Sequence, residues 1–197
     1  MKLRSKFVSA IWLVAAIAAL YGIGYFAIGR SFVPENFTAA RKDGAEVAKS
    51  IVALTEESLK NLEGISALDR EYKFKEALVL VQDELFRAEE ARLKAIDLTK
   101  ELDRMTTAVA GITPTKARNL AMEAVGHEVS LISHLIVYND ILNGLLRTLE
   151  LKFSGDIRDD AQDVQKLVQN MNAETREINR LNALFNQKME EFDRVVN

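Results

Sequence analysis

Apolar residues recur three and four positions apart over most of the chain beyond residue 36. This spacing places them on one stripe of an α-helix. The pattern falls into four stretches and predicts helices over residues 36–63, 68–109, 114–153 and 157–196. In the last stretch the stripe consists of Ile157, Val164, Leu167, Met171, Ile178, Leu181, Phe185, Phe192 and Val196. Because the mean spacing is close to 3.5, coiled-coil-like packing is expected.

Residues typical of helix ends separate the first two stretches. Gly64 is expected to end the first helix, since glycine readily adopts the left-handed conformation found at helix C-termini. Ser66 and Asp69 carry side chains that can cap the start of the second helix. The connection between these two helices is therefore predicted to be only a few residues long.

The other two connections carry similar signals. Gly111 follows the second helix, Thr113 is expected to cap the third, and Pro114 suits its first turn. Gly155 is expected to end the third helix, and Asp156 to cap the fourth. Short connections make sequential helices antiparallel neighbours. The predicted fold is all-α, with an up-down-up-down antiparallel four-helix bundle following an N-terminal transmembrane helix.

Residues 7–29 contain no charged side chain. As a helix they would extend about 34 Å, enough to cross a hydrocarbon core of about 30 Å. Trp12 lies near one end, and Tyr21 and Tyr25 lie near the other, as in the aromatic belts of membrane helices. The segment is therefore predicted to be a single transmembrane helix.

The basic residues Lys2, Arg4 and Lys6 directly precede this segment. By the positive-inside tendency, residues 1–6 stay in the cytoplasm and residues 30–197 are exported. This address corresponds to a bacterial-type inner (plasma) membrane, with the bulk of the chain extracytoplasmic. The second connection and the C-terminus would then lie near the bilayer, with the other two connections at the distal tip.

A cleaved signal peptide is the alternative interpretation of the N-terminal segment. Small residues at 16–18 and 27–29 resemble cleavage sites, but residues 7–29 exceed the usual length of a signal-peptide apolar region. A stripe of small residues indicates a surface that could pack against another membrane helix. The stripe consists of Ala15, Ala18, Ala19 and Gly22.

Composition and charge narrow the class of protein. There is no cysteine, which excludes disulfides, thiolate metal sites and cysteine nucleophiles. The first thirty residues hold four of the 26 basic residues and none of the 29 acidic ones, so the remainder is acidic. An acidic domain argues against nucleic acid as a partner, because phosphate binding requires clustered lysine and arginine.

Residues 126–146 form the most apolar stretch outside the N-terminus, yet they contain His127 and His134. The two histidines are seven residues apart, about 10 Å along a helix, so they cannot share a metal unless another helix supplies most ligands. The Glu-x-x-His motif of di-iron bundles is absent, because Ala124 and Leu131 occupy the glutamate positions. Structural histidines are favoured, and no metal or cofactor is expected. Haem ligation by one histidine with a methionine remains an alternative, the candidates being Met105, Met122 and Met171.

The acidic residues are interpreted as ordinary helix features, and no catalytic residue is predicted. Acids in the first turn of the fourth helix are expected from the helix dipole, with a divalent cation site as the alternative. These acids are Asp156, Asp159, Asp160 and Asp163. Charges on the second helix indicate a solvated face, with Asp83 paired to Arg87 four residues on. The face comprises Asp83, Glu84, Arg87, Glu89, Glu90, Arg92 and Lys94.

A second apolar stripe on the third helix is the strongest functional clue, because an exposed apolar stripe usually marks an interface. It consists of Val125, Val129, Ile132 and Ile136. Uneven packing within the bundle would also explain it. A second membrane span is disfavoured, because Glu128, His134 and Asp140 would be costly in lipid.

These features predict a non-enzymatic single-pass membrane protein. Its exported bundle would act as a scaffold or accessory interaction subunit of a cell-envelope complex, with membrane or envelope proteins, or further copies of itself, as partners. Two alternatives remain open. The first is an extracytoplasmic small-ligand sensor or adaptor that signals through a partner, since the architecture resembles bacterial receptor sensor domains. The second is a haem- or metal-binding bundle.

Overall fold

The computed structural model describes residues 31–156 and 161–197, and within these ranges the secondary structure is helical apart from one isolated bridge. There are four long helices in the described ranges: α1 (Glu35–Arg70), α2 (Phe74–Val109), α3 (Thr115–Ser154) and α4 (Ala161–Val196). The predicted all-α class is confirmed. The predicted membrane helix, residues 7–29, lies outside the described residues.

Buried positions recur in alternating steps of three and four along the helices. In α4 the repeating positions are Val168, Met171, Thr175, Ile178, Asn182, Phe185, Met189 and Phe192, and Leu181 is buried beside them. In α2 they are Ala77, Val81, Glu84, Ala88, Ala91, Ala95, Leu98, Leu102, Met105 and Val109, and Ala108 is buried beside them. A mean step of 3.5 residues is the recurrence that coiled-coil packing requires. The buried apolar residues of the four helices form one continuous core.

Ion pairs between helices define their directions. Asp43 near the start of α1 accepts a hydrogen bond from Arg104 at 2.9 Å, whereas Glu57, further along α1, accepts one from Arg87 at 3.0 Å. Numbers fall along α2 as they rise along α1, so the two helices are antiparallel. The same reversal relates α3 to α4.

One end of the bundle gathers three parts of the chain. Phe32 and Thr113 exchange backbone hydrogen bonds of 3.1 and 2.9 Å, which join the segment before α1 to the α2–α3 connection. The Ser31 hydroxyl donates to the Val196 carbonyl at 2.6 Å, which brings in the end of α4. The sequence predicts that the second connection and the C-terminus lie at the same end of the bundle, and these contacts agree with that prediction.

At the opposite end, α1 turns into α2 through residues 71–73. Tyr72 adopts a left-handed conformation with φ 57°. Phe74 stacks on Phe153 of α3, with ring centroids 5.7 Å apart. Lys152 of α3 donates to Asp69 of α1 at 3.0 Å. Aromatic and ionic contacts therefore hold the α1–α2 and α3–α4 connections together.

The predicted end of the first helix was wrong. Gly64, Ser66 and Asp69 all lie inside α1, which continues to Arg70. Ile65 is buried and extends the core stripe, and this burial outweighs the cost of about 1 kcal/mol for glycine within a helix. Gly64 instead allows close packing, because a Cβ there would lie 3.2 Å from the side chain of Leu80.

The predicted cap of α3 was also wrong. The Thr113 hydroxyl accepts a hydrogen bond from the Phe32 amide at 3.1 Å, and Pro114 precedes the first helical residue. Gly155 follows α3 in the left-handed conformation, with φ 85°, as predicted. Its amide donates to Lys152 at 3.1 Å. The predicted role of Asp156 as a cap depends on the neighbouring residues 157–160, which lie outside the described ranges.

Among the helices of the described ranges, α3 alone is long and apolar enough to cross a membrane. In the structure, 44% of its most apolar window is buried inside the bundle. Core helices of helical bundles share this composition. The packing of α3 against both α2 and α4 accounts for its apolar character without a bilayer.

Candidate interaction surface

The outward face of α2 carries large apolar side chains. They are Val79, Phe86 and Leu93, which together are called the α2 row. The three positions are seven residues apart and therefore share one face of the helix. Phe86 is 81% exposed, an unusual environment for an aromatic ring in a folded helical bundle. Within the described part of the chain, nothing covers this face.

Carboxylates flank Phe86 on its own helix. Asp83 lies three residues before it, and Glu89 and Glu90 lie three and four residues after it, all exposed. Glu89 approaches Arg92 at 3.6 Å. Asp83 and Glu90 form no ion pair within 4.0 Å among the residues that the structure describes. The α2 row is therefore an apolar strip with an acidic margin.

A groove of about 640 Å³ lies beside Phe86, between α2 and α3. Leu85 contributes an apolar wall, and Arg147 lines the side formed by α3. Arg92 crosses the groove and approaches Asp140 of α3 at 3.8 Å. This contact also sets the register between the two helices.

The predicted interface stripe on α3 is divided between the core and the surface. Val125 and Ile132 are buried, with 6% and 4% exposure, and belong to the core. Val129 is 50% exposed, and Ile136 is partly buried. Because α3 packs against two neighbouring helices, its buried arc is wider than a single stripe. Val125 and Ile132 are therefore not available to a partner in this arrangement.

The exposed half of that stripe continues a second row on α3. Met122, Val129 and Ile136 are seven residues apart and are called the α3 row. The Arg92–Asp140 register brings Ile96 of α2, four residues further on, level with Ile136 of α3. Ile96 is itself exposed. By this register the two rows lie end to end along the outside of α2 and α3, and together with Ile96 they are called the apolar path.

Glu84 is a buried carboxylate in the interface between α1 and α2. Its side chain is 0% exposed, and its Oε2 accepts hydrogen bonds from Arg87 at 2.7 Å and Asn61 at 3.1 Å. Arg87 also donates to Glu57 of α1 at 3.0 Å. Burial, with a contribution from the negative charge of Glu84, raises the pKa of the Tyr138 hydroxyl well above its ordinary range.

The predicted solvated face of α2 was wrong at this point. Arg87 pairs with Glu84 and Glu57 and not with Asp83. The sequence contains the missed signal, because Glu84 falls between Val81 and Ala88 at steps of three and four, on the core stripe.

Glu128 of α3 is a second buried carboxyl group, and it has no cation beside it. It is almost fully buried, and its Oε2 has no hydrogen-bond partner in the described structure. Burial alone raises the pKa of this carboxyl from 4.5 to about 7. The group is therefore largely neutral below neutral pH.

The histidines occupy separate environments. His134 Nδ1 lies 2.6 Å from Glu174 Oε2 of α4, which gives this histidine a structural partner. His127, seven residues earlier on α3, is partly buried. In the described ranges, no group of three or more His, Asp or Glu side chains could hold a metal ion. Of the methionines considered for haem ligation, Met105 and Met171 are buried and Met122 is exposed.

The remaining predicted site residues lie outside the described ranges: Ala15, Ala18, Ala19, Gly22, Asp159 and Asp160. The proposed membrane-helix packing surface and half of the acidic cluster at the start of the fourth helix are therefore predictions only. Comparison of the chain with protein-family models, with curated proteins and with solved structures found no match.

Proposed function

We propose that the chain is a non-enzymatic single-pass membrane protein whose helical bundle acts as a scaffold or accessory subunit of a cell-envelope complex. The apolar path over α2 and α3 is the observation that carries this proposal. Exposed apolar surface costs solubility, and on a folded domain a contiguous strip of it marks a protein interface. Phe86, Met122 and Val79 are its most exposed members.

The membrane part of the proposal rests on residues 7–29, whose length and lack of charge suit a single span. The N-terminus would lie in the cytoplasm of a bacterial-type cell and the bundle outside the membrane. Because the segment before α1 and the end of α4 meet at one end of the bundle, that end would face the bilayer.

The interaction is tested with the full-length protein extracted in mild detergent. Native electrophoresis would give the size of its complex. Met122→Asp combined with Val129→Asp introduces two charges into the α3 row and should dissociate the complex. The control, Ser130→Asp with Ser133→Asp, adds the same charges at exposed polar positions of α3. A complex that survives the first pair, or no complex at all, contradicts the proposal.

The address is tested by labelling, because the chain has no cysteine of its own. Asn197→Cys should react with a membrane-impermeant maleimide on intact cells, and Lys2→Cys should react only after the inner membrane is opened. The reverse pattern, or loss of the N-terminal residues from the mature protein, contradicts the proposed anchor.

A small-ligand sensor is the second candidate, favoured by the groove beside Phe86. Its volume of about 640 Å³ falls within the range of ligand sites. The groove is open and lined largely by charged side chains, so it suits a polar ligand. A compound that raises the melting temperature of the wild-type protein but not of Arg147→Ala would favour this function.

A further inference from the structure

We propose that the α2 row binds an amphipathic helix of a partner protein, and that lysine or arginine residues flank the apolar stripe of that helix. The inference rests on the proposed scaffold function and names the chemistry of its partner. It concerns Val79, Phe86 and Leu93, which lie on a different helix from the α3 row.

The geometry of the row suits a helix. Positions seven residues apart recur about every 10.5 Å, and the row extends about 21 Å along α2. A partner helix with an apolar residue in each heptad can place one side chain against each member of the row. The groove next to Phe86, with Leu85 in its wall, offers room for a larger side chain at the centre.

The charges around Phe86 determine which residue types can flank the apolar stripe of the partner helix. Asp83, Glu89 and Glu90 lie within about one helical turn of Phe86 and are exposed. The nearby cations already have carboxylate partners, since Arg87 pairs with Glu84 and Arg92 approaches Glu89 and Asp140. In helix pairs, charged residues beside the apolar seam determine which partner and orientation are accepted. Basic residues on the incoming helix would meet these carboxylates, whereas acidic residues would be repelled.

The same margin disfavours two other occupants. A second copy docking through the same row would bring the carboxylates around one Phe86 against those around the other. An anionic bilayer surface attracts basic segments and repels this acidic margin. Charge complementarity therefore favours a basic amphipathic helix over either of them.

Two synthetic helical peptides of three heptads test the proposal. They share one apolar stripe and differ only in lysine or glutamate at the flanking positions. Binding to the full-length protein in nanodiscs of uncharged lipid is measured by fluorescence anisotropy. The lysine peptide should bind, with an affinity that falls as salt is added, and the glutamate peptide should not.

Variants assign the binding to the α2 row. Phe86→Ser should weaken the lysine peptide about tenfold or more, the loss expected for an aromatic anchor. Phe32→Ser is the control, because it removes another exposed aromatic side chain, from the segment before α1 and outside both rows, and it should leave binding unchanged. Asp83→Lys with Glu90→Lys should transfer the preference to the glutamate peptide. Both sites are exposed, so circular dichroism should show an unchanged helical fold.

Several results would overturn the inference. They are equal binding of both peptides, binding insensitive to Phe86→Ser, and a dimer in sedimentation analysis that Phe86→Ser dissociates. Failure of the scaffold proposal is distinguishable. If Met122→Asp with Val129→Asp dissociates the native complex but Phe86→Ser does not, the scaffold function stands and the α2 row is not its basic-helix site.

Discussion

Two buried carboxyl groups on neighbouring helices are stabilised in different ways. The Oε2 atom of Glu84 receives hydrogen bonds from Arg87 and Asn61, whereas its buried Oε1 has no partner among the described residues. Glu128 has no such partner, and burial favours its neutral form. The stability that a buried ion pair contributes is lost when either member is removed. The stability of a fold that buries a neutral acid changes with pH, because the acid resists ionisation there.

The stability of the protein should therefore depend on Glu128 and pH. The unfolded chain ionises this carboxyl near its ordinary pKa of 4.5, whereas the folded protein holds the proton until about 7. The folded state binds more protons between these values, so stability falls as pH rises from about 4.5 through 7. The total loss is about 3 kcal/mol.

Glu128→Gln should remove this dependence and stabilise the protein at pH 8 relative to the wild type. Thermal unfolding of the full-length protein in detergent at pH 5 and pH 8, followed by circular dichroism, gives the comparison. Glu63→Gln is the control at an exposed position and should leave the pH profile of the wild type intact. Identical profiles for Glu128→Gln and the wild type would show that burial does not raise the pKa of Glu128.

Arg87→Ala should destabilise the bundle by about 3 kcal/mol, because it leaves the Glu84 charge buried without its cation. Arg104→Ala breaks an exposed contact between α1 and α2 and should cost much less, because solvent screens an exposed ion pair. Replacing both members of the buried pair, Glu84→Leu with Arg87→Met, should recover most of the loss. Urea unfolding measures all three, and equal costs for the two single arginine variants would refute a special role for the buried pair.

At the residue scale, the position of a residue in the heptad pattern predicted its burial better than its residue type did. Glu84 and Glu128 both occupy core steps of the heptad pattern, so their burial could be read from position. The hydrogen-bond partners of these carboxyl groups could not be predicted in this way, because a hydrogen bond from Asn61 to Glu84 depends on the register of two helices. The exposure of Phe86 could likewise be inferred from its place on the outer face of the same heptad.

At the scale of the elements, the structural role of each glycine depends on whether another helix packs against it. Gly64 lies within α1 and faces Leu80, and Gly155 ends α3. The sequence predicted the four helices because their apolar periodicity is strong. It misplaced the end of α1 because glycine is common both at helix ends and at close contacts between helices, and only the packing distinguishes the two.

Gly111→Ala should destabilise the protein. A Cβ at this position would lie 2.8 Å from Cγ of Pro34, which is closer than packed atoms tolerate. Gly126→Ala is the matched control inside α3, where a Cβ would meet nothing within 4 Å. It should stabilise the protein by up to about 1 kcal/mol, since alanine favours helix over glycine.

Melting temperatures of the two glycine variants should therefore move in opposite directions from that of the wild type. A melting temperature of Gly111→Ala equal to or above that of the wild type would show that the contact with Pro34 does not restrict position 111.

For the whole molecule, an ion pair and an aromatic contact join α4 to α1 near the end of the bundle that contains Ser31 and Val196. Arg41 of α1 donates two hydrogen bonds to Asp193 of α4, at 2.7 and 2.9 Å, and Phe37 packs on Phe192 with ring centroids 5.6 Å apart. Short connections predicted which helices are sequential neighbours. They could not predict this closing pair, because it joins residues from opposite ends of the sequence.

Arg41→Ala should cost about 1 kcal/mol or more, because a two-bond arginine–carboxylate pair that is largely shielded from water exceeds an ordinary surface pair. Hydrogen exchange should quicken in the first turns of α1 and the last turns of α4. Lys49→Ala, which removes an exposed contact within α1, is the control and should leave exchange at this end unchanged. The charge-swapped variant Arg41→Asp with Asp193→Arg should restore protection of these amides from hydrogen exchange. If the swapped variant stays unprotected, a direct Arg41–Asp193 pair is contradicted.

The position of Phe86 along α2 fixes a distance. Phe86 lies 23 residues before Val109, which ends α2 at the end of the bundle that leads into residues 1–30. At 1.5 Å per residue this separation is about 35 Å. If that end lies at the bilayer, the bundle acts as a ruler, because a partner anchored in the same membrane needs a helix or linker of that length to reach Phe86. A tether shorter than this would leave Phe86 out of reach, whereas Met122 and Val129 of the α3 row lie nearer the base of the bundle.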